Sequence, residues 1–82
     1  MVPTTEIDVR LEKLRQALRK RKLGGVLFTG PEDVRYFSGF TGSESALLIT
    51  ARAQFLLTDF RYQEEAQASA PLFECHIGKQ GL

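Results

Sequence analysis

Apolar residues at Ile7, Leu11, Leu14 and Leu18 recur at intervals of four, three and four, the spacing that lines one face of an α-helix. Thr5 with Asp8 resembles a shortened capping box at the start of that helix, and Gly24 with Gly25 supplies its stop. Glu6 with Arg10, and Glu12 with Arg15, are spaced to pair along it. Val26–Thr29 then reads as a short buried strand. Gly30-Pro31 is a turn that opens a short helix through about Phe37, with proline at its first position. Ala46–Thr50 and Gln54–Thr58 read as two strands of a hairpin joined by the tight connection Ala51-Arg52-Ala53. Asp59–Ala70 reads as a helix capped by Thr58 or Asp59 and ended by Pro71, and Phe73–Ile77 as a fourth strand. The strands are continuously apolar rather than alternating, which predicts cover on both faces of the sheet. The order α-β-α-β-β-α-β predicts an α/β fold with a mixed β-sheet flanked by helices.

One segment fits neither period. Val34–Ser43, Val-Arg-Tyr-Phe-Ser-Gly-Phe-Thr-Gly-Ser, packs three aromatics and two glycines into ten residues. Glycine permits positive φ and close backbone approach, and aromatics carry large apolar area. Two readings stand side by side: a shaped loop that presents binding residues from a rigid scaffold, or a connecting loop whose aromatics fold into the core.

Composition narrows the classes. At 82 residues, 43% hydrophobic and 26% charged, the chain has the make-up of one small globular domain. A net charge of +1 gives no drive toward nucleic acid or acidic membranes. The basic run Arg19-Lys20-Arg21-Lys22 reads as complementing the carboxyl end of the first helix rather than as a phosphate site. No apolar run is long enough to span a bilayer, Cys75 has no internal partner for a disulfide, and the first residues lack a basic-then-apolar leader. A cytoplasmic protein without nucleic-acid or membrane partners is expected.

The chemistry available to these residues is sparse. His76 and Cys75 are the sole histidine and cysteine, and Asp8, Asp33 and Asp59 are assigned to the ends of different elements, so neither a metal site nor a catalytic residue is expected within the chain. Cys75 and His76 are neighbours on a strand and point to opposite faces, which separates a thiol from its base. Gly30 alone does not make a dinucleotide fingerprint. In Thr58-Asp59-Phe60-Arg61-Tyr62, Asp59 suits a helix cap and Arg61 can hold a carboxylate in its planar fork.

Taken in order, Arg10-Leu11-x-x-Leu14, Pro31–Ser43, Leu47–Thr50 and Leu56–Tyr62 resemble the amino-terminal domain of the Xaa-Pro peptidases (prolidase and aminopeptidase P), also called the creatinase amino-terminal domain. The resemblance runs from about Arg10 to Ile77. It implies that residues 1–82 correspond to a shortened, non-catalytic amino-terminal domain, with a pita-bread catalytic domain elsewhere in the parent polypeptide. The parent would be a metallopeptidase acting on Xaa-Pro peptides. Its two divalent metal ions (manganese, cobalt or zinc) would be held by the catalytic domain, with no cofactor in this chain. The amino-terminal domain would contact that catalytic domain, help form a homo-oligomer such as a dimer, and shape the mouth of the active site. Carried over by position, Phe37, Ser38, Gly39, Phe40, Thr41, Gly42 and Ser43 form the substrate-mouth or interface loop, and Arg35, Asp59, Arg61 and Tyr62 support it. The resemblance leaves open dipeptidase, aminopeptidase and creatinase-like amidinohydrolase branches. A free-standing peptide- or protein-binding module is the alternative outside it.

Overall fold

The computed structural model describes residues 4–42 and 44–78. Helix α1 (Thr4–Lys20) places Ile7, Leu11 and Leu18 in the core, with Leu14 packed against it, as the spacing requires. Thr5 lies inside this helix rather than at its cap. Arg10 reaches Glu6 at 2.8 Å. The expected Glu12–Arg15 pair does not form. Arg15 instead crosses to the sheet, donating to the carbonyls of Thr50 (2.9 Å) and Ala53 (3.0 Å) and to Gln54 Oε1 (2.8 Å). Three charge-assisted bonds at a half-buried site outweigh an exposed helical ion pair. Glu12 turns to Arg19, at 3.4 Å.

The helix also stops earlier than the two glycines. The Leu23 N–H donates to Leu18 O (2.9 Å) and the Lys22 N–H to Arg19 O (3.1 Å), the paired bonds of a Schellman cap. Lys22 occupies the left-handed position at φ 57°, where glycine is the usual residue.

Strand β1 (Gly25–Phe28), helix α2 (Pro31–Ser38), strands β2 (Ser45–Thr50) and β3 (Gln54–Asp59), a 3-10 turn (Phe60–Tyr62), helix α3 (Gln63–Ser69) and strand β4 (Glu74–Gly78) follow. The single helix expected over Asp59–Ala70 is thus split. Asp59 ends β3 and caps the 3-10 turn, accepting from the Arg61 N–H, and the α-helix proper begins at Gln63. The sheet order is β1-β2-β3-β4, with β1–β2 and β2–β3 antiparallel and β3–β4 parallel. The parallel pair needs a crossover, which the 3-10 turn and α3 supply. At the β2–β3 hairpin, Thr50 Oγ1 accepts from the Ala53 N–H at 3.0 Å, while Arg15 binds the same turn from outside.

All three helices pack on one face of the sheet. Ile7 and Leu11 of α1, Val34 of α2 and Ala66 of α3 meet Leu47, Ile49 and Leu56 in a single buried cluster, with Phe40, Ala70 and Phe73. Leu47 and Leu56 sit opposite each other in the ladder. The alternate residues, Leu27, Leu48, Phe55 and Leu57, fall on the other face by the two-residue period of a strand. No helix among the described residues covers them: Leu27 is 57% exposed, and Leu48, Phe55 and Leu57 are half-buried. The expectation of cover on both faces is therefore corrected. The strand runs are continuously apolar because the second face is itself apolar, while these elements form two layers and not three.

Candidate functional site

Three strands point the same way, β1, β3 and β4, and β2 runs against them. The register pairs Phe28 with Leu47, Ser45 with Thr58, and Asp59 with Gly78. The carboxyl ends of β1, β3 and β4 and the start of β2 therefore meet at one end of the sheet. That is where α/β sheets commonly place ligands. The aromatic-glycine loop and the Asp59–Tyr62 segment, distant in sequence, converge there.

The loop is built from its anchors. Phe37 stacks on Phe28 with ring centres 4.9 Å apart. Ser38 is fully buried; its hydroxyl donates to Val34 O (2.6 Å) and accepts from the Phe40 N–H (3.1 Å), closing the end of α2. Gly39 takes φ 87°, a left-handed cap whose N–H donates to Arg35 O. Phe40 is 0% exposed and meets Tyr62 edge-to-face at 6.0 Å. Gly42 is buried against that ring: a Cβ there would lie 2.2 Å from Phe40 Cζ. The Ser45 hydroxyl donates to Gly42 O at 3.0 Å, the Thr58 hydroxyl donates to Glu44 O, and the exposed Thr41 hydroxyl donates to Glu65 at 3.3 Å. Ser43, also expected in the loop, lies outside the described residues.

Beside the loop, the Asp59 carboxylate is 1% exposed and receives the Arg61 N–H (2.9 Å) together with the Arg61 guanidinium, whose NH2 reaches Asp59 Oδ2 at 2.6 Å. Hydrogen bonds from Arg61 hold the Asp59 carboxyl below the usual carboxylate range, against the opposing pull of desolvation. The same contact raises Arg61 above its ordinary value. The guanidinium lies 5.4 Å from the Tyr62 ring and keeps an exposed outer edge.

Arg35 stands apart from this pair. It is exposed on α2 and lines a shallow hollow with Pro31, Glu32 and Thr41. The arrangement thus brings Phe40 and Tyr62 together and holds Asp59 with Arg61, while Arg35 meets the same loop through its carbonyl at Gly39 and its side chain beside Thr41. Burial raises the Cys75 thiol. No group of three or more His, Cys, Asp or Glu side chains converges among the described residues, so this donor set does not fit a divalent metal centre.

Sequence reasoning placed Ser38 in the loop but missed the clamps that act with it: Ser45, Thr58 and Glu65 fix the loop, and Arg10 lies 4.1 Å over the Tyr36 ring while donating to Tyr36 O at 2.8 Å. A usable signal existed in Ser38, two residues before a buried aromatic and at the end of a helix, where serine readily bonds back to the main chain.

A family model, the creatinase/prolidase N-terminal domain, matches residues 10–81. The chain belongs to this family. An uncharacterized peptidase of Bacillus subtilis is 39% identical over 66 residues, covering 80% of this chain and 19% of that protein. The crystal structure of an Xaa-Pro aminopeptidase from Streptococcus pyogenes superposes with a TM-score of 0.89 at 28% identity, over 95% of this chain and 60% of that one. The crystallised N-terminal domain of a cytoplasmic peptidase from Mycobacterium tuberculosis gives a TM-score of 0.82 at 38% identity, over 87% of this chain and 56% of that one. The creatinase/prolidase domain here therefore spans about a fifth of the curated relative's length and under two thirds of either solved chain. No helix among the described residues is long and apolar enough to cross a membrane.

Proposed function

We propose that this chain is the non-catalytic amino-terminal domain of a cytoplasmic, metal-dependent Xaa-Pro dipeptidase or aminopeptidase. The observation that carries the reading is one of proportion. The chain matches 56% of the fragment crystallised as the N-terminal domain of the mycobacterial peptidase, yet it spans only 19% of the Bacillus subtilis peptidase. The bulk of such a protein, and the ligands for its two divalent ions, lie in residues this chain does not contain.

The loop end is the part of the domain that serves the site. Among the described residues, Thr41, Glu44 and the outer edge of Arg61 belong to its accessible surface, while Phe40, Tyr62 and Asp59 hold that surface in place. In the parent enzyme it forms part of the substrate mouth and of a dimer contact, facing an Xaa-Pro peptide. The imide bond before proline lacks an N–H, so a peptidase that depends on that hydrogen bond handles it poorly. A dedicated mouth is the corresponding requirement.

Two measurements test this. The pure 82-residue chain, supplied with manganese, cobalt or zinc, is expected to cleave no Xaa-Pro dipeptide; metal-dependent turnover refutes the reading. In the parent enzyme, Phe40→Leu and Arg61→Gln are each expected to shift KM or the oligomeric state while leaving metal content unchanged. Wild-type kinetics and assembly in both variants would remove the loop from the mouth.

A further inference from the structure

The 3-10 turn after β3 carries a side chain that the fold does not use. Phe60 is 60% exposed and stands outside the buried cluster. Its main chain is nevertheless fixed from both sides. Asp59 is held in the ladder opposite Gly78, its carboxylate accepts the Arg61 N–H at 2.9 Å, and the Gln63 N–H donates to Phe60 O. Tyr62 is fixed in turn against Phe40. These contacts use the backbone of Phe60 and the side chains of its neighbours, so a small polar residue in its place would make the same turn.

Single exposed apolar residues are ordinary on a protein surface. Position separates this one from the others. Among the described residues, the other large exposed apolar side chains are Val9 on α1, Leu23 ahead of β1, Leu27 on the face opposite the helices, and Tyr36, whose ring lies under Arg10. Phe60 alone lies between Asp59 and Arg61 at the loop end. The accessible groups nearby, Thr41, Glu44 and the outer edge of Arg61, are polar and gain nothing by taking an apolar group out of water. A phenyl ring does gain, and with two side-chain torsions on a fixed backbone it loses little freedom when covered.

An Xaa-Pro peptide offers two pieces to such a ring. Proline is common to every substrate, so contact with it cannot discriminate among them; the Xaa side chain varies. We propose that Phe60 is a specificity-determining residue of the parent enzyme, taking the Xaa side chain against its ring and so favouring peptides whose Xaa is apolar. The inference rests on the reading of the loop end as the substrate mouth and names the substrates that mouth prefers. In a closed pocket one methylene is worth about 10–200-fold in kcat/KM, and a ring covering one side of the substrate is expected to give about 3–10-fold between Leu-Pro and Ala-Pro.

The experiment assays the parent enzyme, wild type and Phe60→Ser, on Ala-Pro, Leu-Pro and Lys-Pro. The wild type is expected to prefer Leu-Pro to Ala-Pro. Phe60→Ser is expected to lose that preference through a higher KM for Leu-Pro with kcat kept, because the contact is made equally before and in the transition state. Phe60→Leu is expected to keep it. Both substitutions are expected to leave the melting temperature of the 82-residue chain unchanged; a lowered one gives the side chain a structural role and overturns the proposal. Equal losses on all three dipeptides, or a changed oligomeric state, overturn it and make Phe60 an interface residue. A larger loss on Lys-Pro than on Leu-Pro overturns it and assigns the ring to a cation. An unchanged ratio of Leu-Pro to Ala-Pro also overturns it, and the mouth itself still stands if Phe40→Leu or Arg61→Gln shifts KM.

Discussion

Gly42→Ala puts one methyl group where the fold has no room for it. The added Cβ would stand 2.2 Å from Cζ and 2.6 Å from Cε2 of Phe40, so the ring must retreat by more than an ångström to reach ordinary contact. It has nowhere to go: Phe40 is 0% exposed, and Tyr62 closes on it edge-to-face. The obstructing atoms are the end of a rigid ring, not the tip of a flexible chain. Forcing an extra methyl into such a site costs about 1–3 kcal/mol. In a domain of this size each kcal/mol moves the melting point by roughly 4–8 °C, which puts the expected drop at about 5–20 °C. Thermal or urea denaturation followed by circular dichroism measures it. Gly24→Ala is the matched control: a Cβ there meets nothing within 4 Å, so its stability should be unchanged or slightly raised. Phe40→Leu shortens the ring and should relieve part of the Gly42→Ala cost, visible as non-additivity in a double-mutant cycle. If Gly42→Ala melts with the wild type, or if the two substitutions simply add, the argument that Gly42 exists to admit Phe40 is wrong.

Lys22→Gly removes a side chain from the left-handed position that ends α1 and should stabilise the chain by about 0.5–1 kcal/mol in urea denaturation. Arg15→Met keeps the aliphatic stem but loses three bonds to the β2–β3 turn, and should destabilise by about 1.5–3 kcal/mol by the same measurement, whereas Glu12→Gln should do almost nothing. Asp59 has a folded-state pKa below its unfolded value near 3.9, so its ionisation contributes stability above that pH and loses it as the pH falls through the folded value. Asp59→Asn should therefore lower the melting point at pH 7 and flatten its fall below about pH 4; an unchanged acid slope would remove Asp59 from the linkage.

The elements were legible because each was written by local rules: a stripe at four, three and four residues for α1, a turn of Gly30-Pro31 before α2, and a short connection between two β-rich runs. What was not legible depended on where groups met in space. Glu12 and Arg15 are well spaced to pair, but spacing along a helix says nothing of the three acceptors waiting at the hairpin turn. Gly24-Gly25 is a stop signal that the chain does not use, because Lys22 already tolerates the left-handed turn. The continuous apolar runs carried the right information about two apolar faces and misled only about which of them these residues cover. At the candidate site the two informative segments stood out in the sequence; their convergence did not. It follows from the register of Ser45 with Thr58 and Asp59 with Gly78, which no local pattern encodes.

The mechanical character of the loop bears on what a mouth built from it can do. A stretch containing Gly39 and Gly42 has the composition of a flexible flap, yet its ordering is fixed at several separate points. Ser38 binds its entrance, Phe40 is sunk in the core, Ser45 holds Gly42, Thr58 holds Glu44, and Glu65 holds Thr41. Phe37 and Phe40 are thus spent on anchoring, and among the described residues Thr41, Glu44 and the edge of a guanidinium already committed to Asp59 face solvent. Limiting substrate length by steric exclusion requires a wall that a longer peptide cannot push aside, and binding energy spent on displacing a soft loop would erase the discrimination. On the proposed function, then, the loop excludes by stiffness rather than recognises by contact. Loosening an anchor such as the Phe40–Gly42 fit should broaden the range of accepted peptide lengths in the parent enzyme before it abolishes cleavage. A variant that loses turnover on the shortest Xaa-Pro substrates while keeping the original length limit would contradict that order of events.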